Sequence, residues 1–144
     1  MWDSNNLYVG IKVTDGNLYN TSTLPYYDDS VEIYIDGNNN NGTTYDSYDR
    51  QYVKGWNDST LWEQFGKTTG VQHAWTTIPG GYSVELAIPW SSLGITPSDK
   101  MTIGFDVAVN DTDNGTARQS QLMWSGTNDN WTNTTAFGSL VLTQ

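Results

Sequence analysis

The chain contains no cysteine, which excludes disulfide cross-links and thiolate metal sites and leaves the fold to rest on its core and any ions it holds. Positive charge is scarce: six Lys and Arg stand against sixteen Asp and Glu, for a net charge of −10. A surface of that sign repels phosphate backbones and anionic lipid, so neither nucleic acid nor a membrane is an expected partner. No apolar run is long enough to span a bilayer as a helix, and the first ten residues have neither the basic start nor the apolar stretch of a signal peptide. Histidine occurs once, at His73, with no Ser or Asp partner in view, and its face also carries Val71 and Trp75. It reads as a packed residue, not a catalytic one. Helical periodicity is nearly absent, the short PWSSLG segment being the one candidate turn of helix.

What remains is a period of two. LYVGIKVT sets Leu7, Val9, Ile11 and Val13 on one face, and MTIGFDVAV does the same with Met101, Ile103, Phe105, Val107 and Val109. VEIYI, RQYVKGW, GVQHAWTT, YSVELAI, SQLMW and SLVLT follow the same rule. TDGN, DGNNNNG, PGG, NDTDNG and SGTNDN separate them as turns and loops. With 144 residues the chain reads as one domain spanning 1–144, large enough to bury a core. The expected fold is all-β: an antiparallel β-sandwich of jelly-roll or immunoglobulin-like type with about eight to ten strands, a closed barrel being the alternative.

Three groups of residues could carry chemistry. Glycoside hydrolysis needs two facing carboxyl groups, and Glu32 and Glu85 both occupy the polar face of a strand, in SVEI and SVEL; a strand-face glutamate is more often a solvated or hydrogen-bonded surface residue. The IDGNNNNGTTYDSYD stretch puts Asp36, Asn38 and Asn40 at alternate positions ahead of Asp49, oxygen donors that a cation such as calcium can gather; a long polar loop is the plain alternative. Asp15, Asp111 and Asp113 form a second, sparser acidic set. Finally Tyr26, Tyr27, Trp56, Trp62, Trp124 and Trp131 lie in polar segments rich in Asn and Gly. An aromatic ring beside amides and carboxylates suits a sugar, whose C–H face stacks on the ring while its hydroxyls find polar partners.

In order along the chain, WDSNNLYVGIKVTD, PYYDDSVEIYIDGNNN, YDRQY, GGYSVELAIPW, IGFDVAVND, MWSGTNDNW and FGSLVL resemble the family 9 carbohydrate-binding modules, over nearly the whole sequence. The resemblance implies a β-sandwich with structural calcium that binds β-1,4-glucan or xylan without cleaving it. It also implies a secreted, monomeric module joined to a catalytic domain that degrades polysaccharide. By position, Tyr26 stands at a family tryptophan, Trp131 at a second, Glu32 at a glutamate that meets sugar hydroxyls, and Asn128 at an asparagine beside the second ring; Gln51 is a further candidate for orienting hydroxyls. Asp36, Asn38, Asn40 and Asp49 fall in the family's metal loop, with Asp15 and Asp111 as additional metal candidates. Three departures stand out. Tyr26 is smaller than the family's tryptophan. The family's basic sugar contact has no counterpart, Val53 taking its place with Lys54 and Arg50 nearby. The family's N-terminal strands are not matched. Related sandwiches bind haem, for which His73, Met101, Met123 and Lys54 are the only material, without an evident ligand pair.

Overall fold

The structure, a computed structural model, describes residues 1–144. Nine strands form two antiparallel sheets. The smaller orders β1 (Asn6–Thr14), β6 (Gly81–Pro89) and β5 (Gln72–Ile78) as β1-β6-β5. The larger runs β4 (Trp62–Glu63), β3 (Asp49–Gly55), β2 (Ser30–Asp36), β7 (Thr102–Asp111), β8 (Ser120–Met123), and β9 (Gly138–Val141) joins β7 alongside β8. The expected sandwich is thus present. PWSSLG forms its turn of helix, α1 (Trp90–Leu93), ended by Gly94 at φ 72°, the left-handed conformation that glycine adopts without cost. The two-residue β4 has too short a pattern for periodicity to find.

Alternation decides which side chains enter the core. Val31, Ile33 and Ile35 of β2 and Val84, Leu86 and Ile88 of β6 are essentially inaccessible to solvent, each contributing about 1.5–3 kcal/mol by leaving water. Trp56, grouped above with the loop aromatics, instead packs edge-on against Trp75 at 6.2 Å and contributes to the core. On β3 the positions opposite Val31, Ile33 and Ile35 are Lys54, Tyr52 and Arg50, so two cations point inward. Buried charge requires partners. Lys54 Nζ donates to the carbonyls of Asp58 and Thr60, with burial pulling its ammonium below its ordinary pKa; Arg50 donates to the carbonyls of Ser47, Asp49 and Ser92. Neither side chain reaches the opposite, polar face of the sheet.

Candidate functional site: an aromatic-walled cleft

The other face of β2 carries Ser30, Glu32, Tyr34 and Asp36. Glu32 is 1% exposed, yet it is not in an apolar setting. Its Oε2 accepts from the Tyr34 hydroxyl and, at 2.6 Å, from Gln51 Nε2. Its Oε1 accepts from Asn110 Nδ2 at 2.7 Å, Gln121 Nε2 at 3.0 Å and Arg118 Nη1 at 3.3 Å. Antiparallel pairing brings these groups together from four strands and the β7–β8 loop: Tyr34 lies opposite Gln51, and Asn110 opposite Gln121. Five donors for about four lone-pair positions saturate the carboxylate. Its negative charge therefore holds the surrounding amides and guanidinium in place, and a ligand hydroxyl reaches it only by displacing one of them.

These groups floor a cleft of about 390 Å³. At one edge Tyr26 packs on Tyr27, with centroids 4.8 Å apart, and edge-on against Trp62 at 5.2 Å. The wall begins where Pro25 opens a 3-10 turn ahead of β2, its fixed φ suiting that first position. Asp28 and Asp29 hold this turn by accepting backbone N–H groups: Ser22 at 2.7 Å on Asp28, Tyr19 and Thr112 on Asp29. The loop between β8 and β9 adds Asn128 and a Trp131 that is 52% exposed to the lining. That loop hangs on fully buried Asp106 of β7, whose carboxylate accepts from Ser125 N, Gly126 N and Asn130 Nδ2 at 3.0, 2.6 and 2.6 Å. A Cβ at Gly126 would lie 2.4 Å from Asp106 Oδ2, so only glycine lets the loop approach the strand this closely.

All five proposed ligand residues, Tyr26, Glu32, Gln51, Asn128 and Trp131, line this one cleft. Sequence reading missed Arg118, Gln121 and the supporting Asp106, while Trp62, one of the loop aromatics, joins the cleft beside Tyr26. The one basic side chain lining the cleft is Arg118, which enters from the β7–β8 loop and not from the Val53 region of β3. It follows an Asn/Gly-rich turn, where no periodic pattern marks it; Asp106, a lone acid on the polar face of the cleanest strand, was the one findable signal. The hydrolytic pair fails on geometry. Glu32 faces outward from the large sheet and Glu85 outward from the small one, so a sandwich about 10 Å thick lies between strands whose carboxyls point apart, where a facing pair is needed.

The six metal candidates separate into two places. In the loop after β2, Asp36 accepts from Asn40 N at 3.2 Å and from Asn41 N and the Thr134 hydroxyl at 3.0 Å. The Asn38 and Asn40 amides donate to Asp46 Oδ2 at 3.1 and 2.7 Å. The loop thus closes on itself through hydrogen bonds, with Asn39 and Asn41 both at φ 52°. One buried oxygen there lacks a partner, Asp49 Oδ1, and burial raises the Asp49 carboxyl to about 6. The second place is more cation-like. Carboxylate oxygens of Asp15, Asp111 and Asp113 lie within 4.8 Å of one another, and no Lys or Arg pairs with them, the chain's one ion pair being Arg118–Glu32. The adjoining Tyr82 hydroxyl is buried without a partner; burial raises its pKa, and the charges of Asp29, Asp15 and Asp111 raise it further. Clustered hard oxygens and an uncompensated charge fit a cation of the calcium type.

A sheet face that sets saturated polar groups between exposed aromatic rings, with no facing carboxyl pair, defines a sugar-binding β-sandwich. A model of the carbohydrate family 9 binding domain-like family matches residues 1–144, and the chain belongs to that family. It is 40% identical over 144 residues to endo-1,4-beta-xylanase A of Thermoanaerobacterium saccharolyticum, covering 99% of this chain and 12% of that protein. To exoglucanase XynX of Acetivibrio thermocellus it is also 40% identical, covering 99% and 13%. The chain thus spans about an eighth of the length of these relatives. Among solved structures, a family 9 module from Caldicellulosiruptor kristjanssonii in complex with cellotriose superposes with a TM-score of 0.91 at 31% identity, over 99% of this chain and 72% of that one. A module from the same organism in complex with glucose gives 0.88 at 31%, over 96% and 71%. The chain is a carbohydrate-binding module, not the catalytic part of such an enzyme.

Proposed function

We propose that the cleft holds a β-1,4-linked glucan or xylan and thereby delivers an attached glycoside hydrolase to its substrate, as a monomeric module in a secreted protein. The observation that carries this reading is that Tyr26 and Trp131 line one cleft with a floor of amide and guanidinium donors fixed around Glu32. Pyranose faces stack on the two rings, and Gln51, Arg118, Gln121 and Asn128 meet the hydroxyls. The cellotriose and glucose complexes of family members and the xylanase setting of the curated relatives support the choice of ligand and of attached activity. Calcium, held by Asp15 and Asp111 with Asp113, and secondarily at Asp49 in the loop begun by Asp36, Asn38 and Asn40, acts structurally by fixing loops.

The test is titration calorimetry with cellotriose and xylotriose. Because Trp131 is 52% exposed, Trp131→Ala removes little folding energy, and the melting temperature stays within about 2 °C of the parent's, as for surface changes generally. Its ring area is roughly 250 Å², of which a sugar covers about 80–120 Å². That burial is worth about 2–3 kcal/mol, or roughly a 30- to 150-fold loss of affinity. Unchanged binding by a folded variant refutes the site.

A further inference from the structure

Trp131 is exposed, yet the chain on either side of it is held by buried groups. Asn130, one residue before the ring, and Thr134, three residues after it, are both fully buried. Between them the N–H groups of Thr132 and Asn133 donate to the Asp129 carbonyl at 2.9 and 3.0 Å, so the ring stands on a tight turn. Asp106 of β7 takes the Asn130 side-chain amide. The remaining fastenings come from the loop between β2 and β3, remote in sequence and on a different part of the sheet's rim.

Tyr45 of that loop donates its hydroxyl to the Asn130 carbonyl at 2.6 Å. Gly42 of the same loop accepts from Thr134 N at 2.9 Å, and Asp36, where the loop leaves β2, accepts from the Thr134 hydroxyl at 3.0 Å. The Tyr45 ring packs on the small cluster of Tyr34, Ala108 and Phe137, which aims its hydroxyl. Burial raises that hydroxyl above its ordinary pKa, so it remains a donor at neutral pH. Without it the buried Asn130 carbonyl has lost a partner, a penalty that the turn relieves only by moving toward water. Neither Tyr45 nor Thr134 lines the cleft, so any effect of theirs on a ligand passes through the segment they hold.

We propose that Tyr45 is a positioning residue for the carbohydrate: together with Thr134 it clasps the β2–β3 loop to the Trp131 turn and holds the ring in the pose that stacks on a pyranose. The inference rests on the reading of Trp131 as a stacking ring. A ring on an unfastened loop samples many poses, and affinity falls with the fraction of molecules in the binding one. Tyr45 touches no ligand, so its removal cannot cost more affinity than removal of the ring itself. The two substitutions are therefore coupled and do not add, as expected of groups that act through one another.

The experiment is cellotriose calorimetry on four proteins: the parent, Tyr45→Phe, Trp131→Ala and the double variant. Tyr45→Phe removes the hydroxyl and keeps the ring on its cluster. It should weaken binding roughly five- to thirtyfold, less than Trp131→Ala does. In the Trp131→Ala background it should change affinity by less than about twofold. Without sugar, Tyr45→Phe should quicken amide exchange at Thr132 and Asn133 at least fivefold, with less change at Val84 in the other sheet. Thr134→Val, which removes the second side-chain fastening, should act in the same way. Unchanged binding and exchange in both clasp variants overturns the proposal. A Tyr45→Phe loss as large in the Trp131→Ala background as in the parent also overturns it, because the tyrosine then acts on something other than the ring. Unchanged binding by Trp131→Ala refutes the sugar site itself, an outcome distinct from failure of the clasp, and leaves Tyr45 no part in binding.

Discussion

Replacing Glu32 by glutamine tests whether one buried charge organises the cleft floor. The amide keeps an oxygen where Oε1 now accepts from Asn110, Gln121 and Arg118, and puts an NH₂ where Oε2 accepts from Tyr34 and Gln51. The Tyr34 hydroxyl can turn to accept, and the Gln51 amide can flip. Most bonds therefore survive in number but lose charge assistance. The difference between ionised and neutral hydrogen bonds is about 0.5–1 kcal/mol each, so five give about 2.5–5 kcal/mol. For a chain of this length that lowers the melting temperature by about 5–20 °C. Affinity for cellotriose also falls, since a flipped Gln51 offers the ligand the wrong group and Arg118 loses its tether. Scanning fluorimetry and calorimetry read the two effects, with Glu85→Gln on the solvent face of the small sheet as a control expected to change neither. A Glu32→Gln protein that melts within 2 °C of the parent and binds normally refutes the organising role.

Arg118→Ala should separate binding from stability. Its side chain is 35% exposed, so the lost ion pair costs at most about 1 kcal/mol of folding. Losing a charged donor weakens oligosaccharide binding roughly ten- to a hundredfold in calorimetry; equal binding assigns it no contact. Calcium at a hundredfold excess over its dissociation constant should add about 2.7 kcal/mol of stability, read as a higher melting temperature at pH 7 that chelator reverses; no shift counts against the ion. In chelator, burial raises Asp29 and Asp49 to about 6 each, above the unfolded value. The folded state then holds more protons than the unfolded one between about pH 4 and 6, so these groups should make melting temperature fall as pH rises through that window. A rise there contradicts the sign.

The sequence alone determined the architecture, because alternation on strands such as Met101–Val109 and Val31–Ile35 admits no helical reading and names the core face directly. It also placed Tyr26, Glu32, Gln51, Asn128 and Trp131 in one cleft, since strand parity fixes which side chains share a face and the family motif fixes the loops. Tertiary structure alone decided the rest, through pairing between strands far apart in the chain. Arg118 and Gln121 reach Glu32 only because β7 lies between β2 and β8, a neighbour relation that local periodicity does not carry. Asp15, just past β1, converges with Asp111 and Asp113 at the end of β7 for the same reason, while Glu32 and Glu85, alike in sequence as SVEI and SVEL, are carried to opposite faces by their different sheets. Parity tells a side chain which way to point; only the order of strands tells it what it will meet.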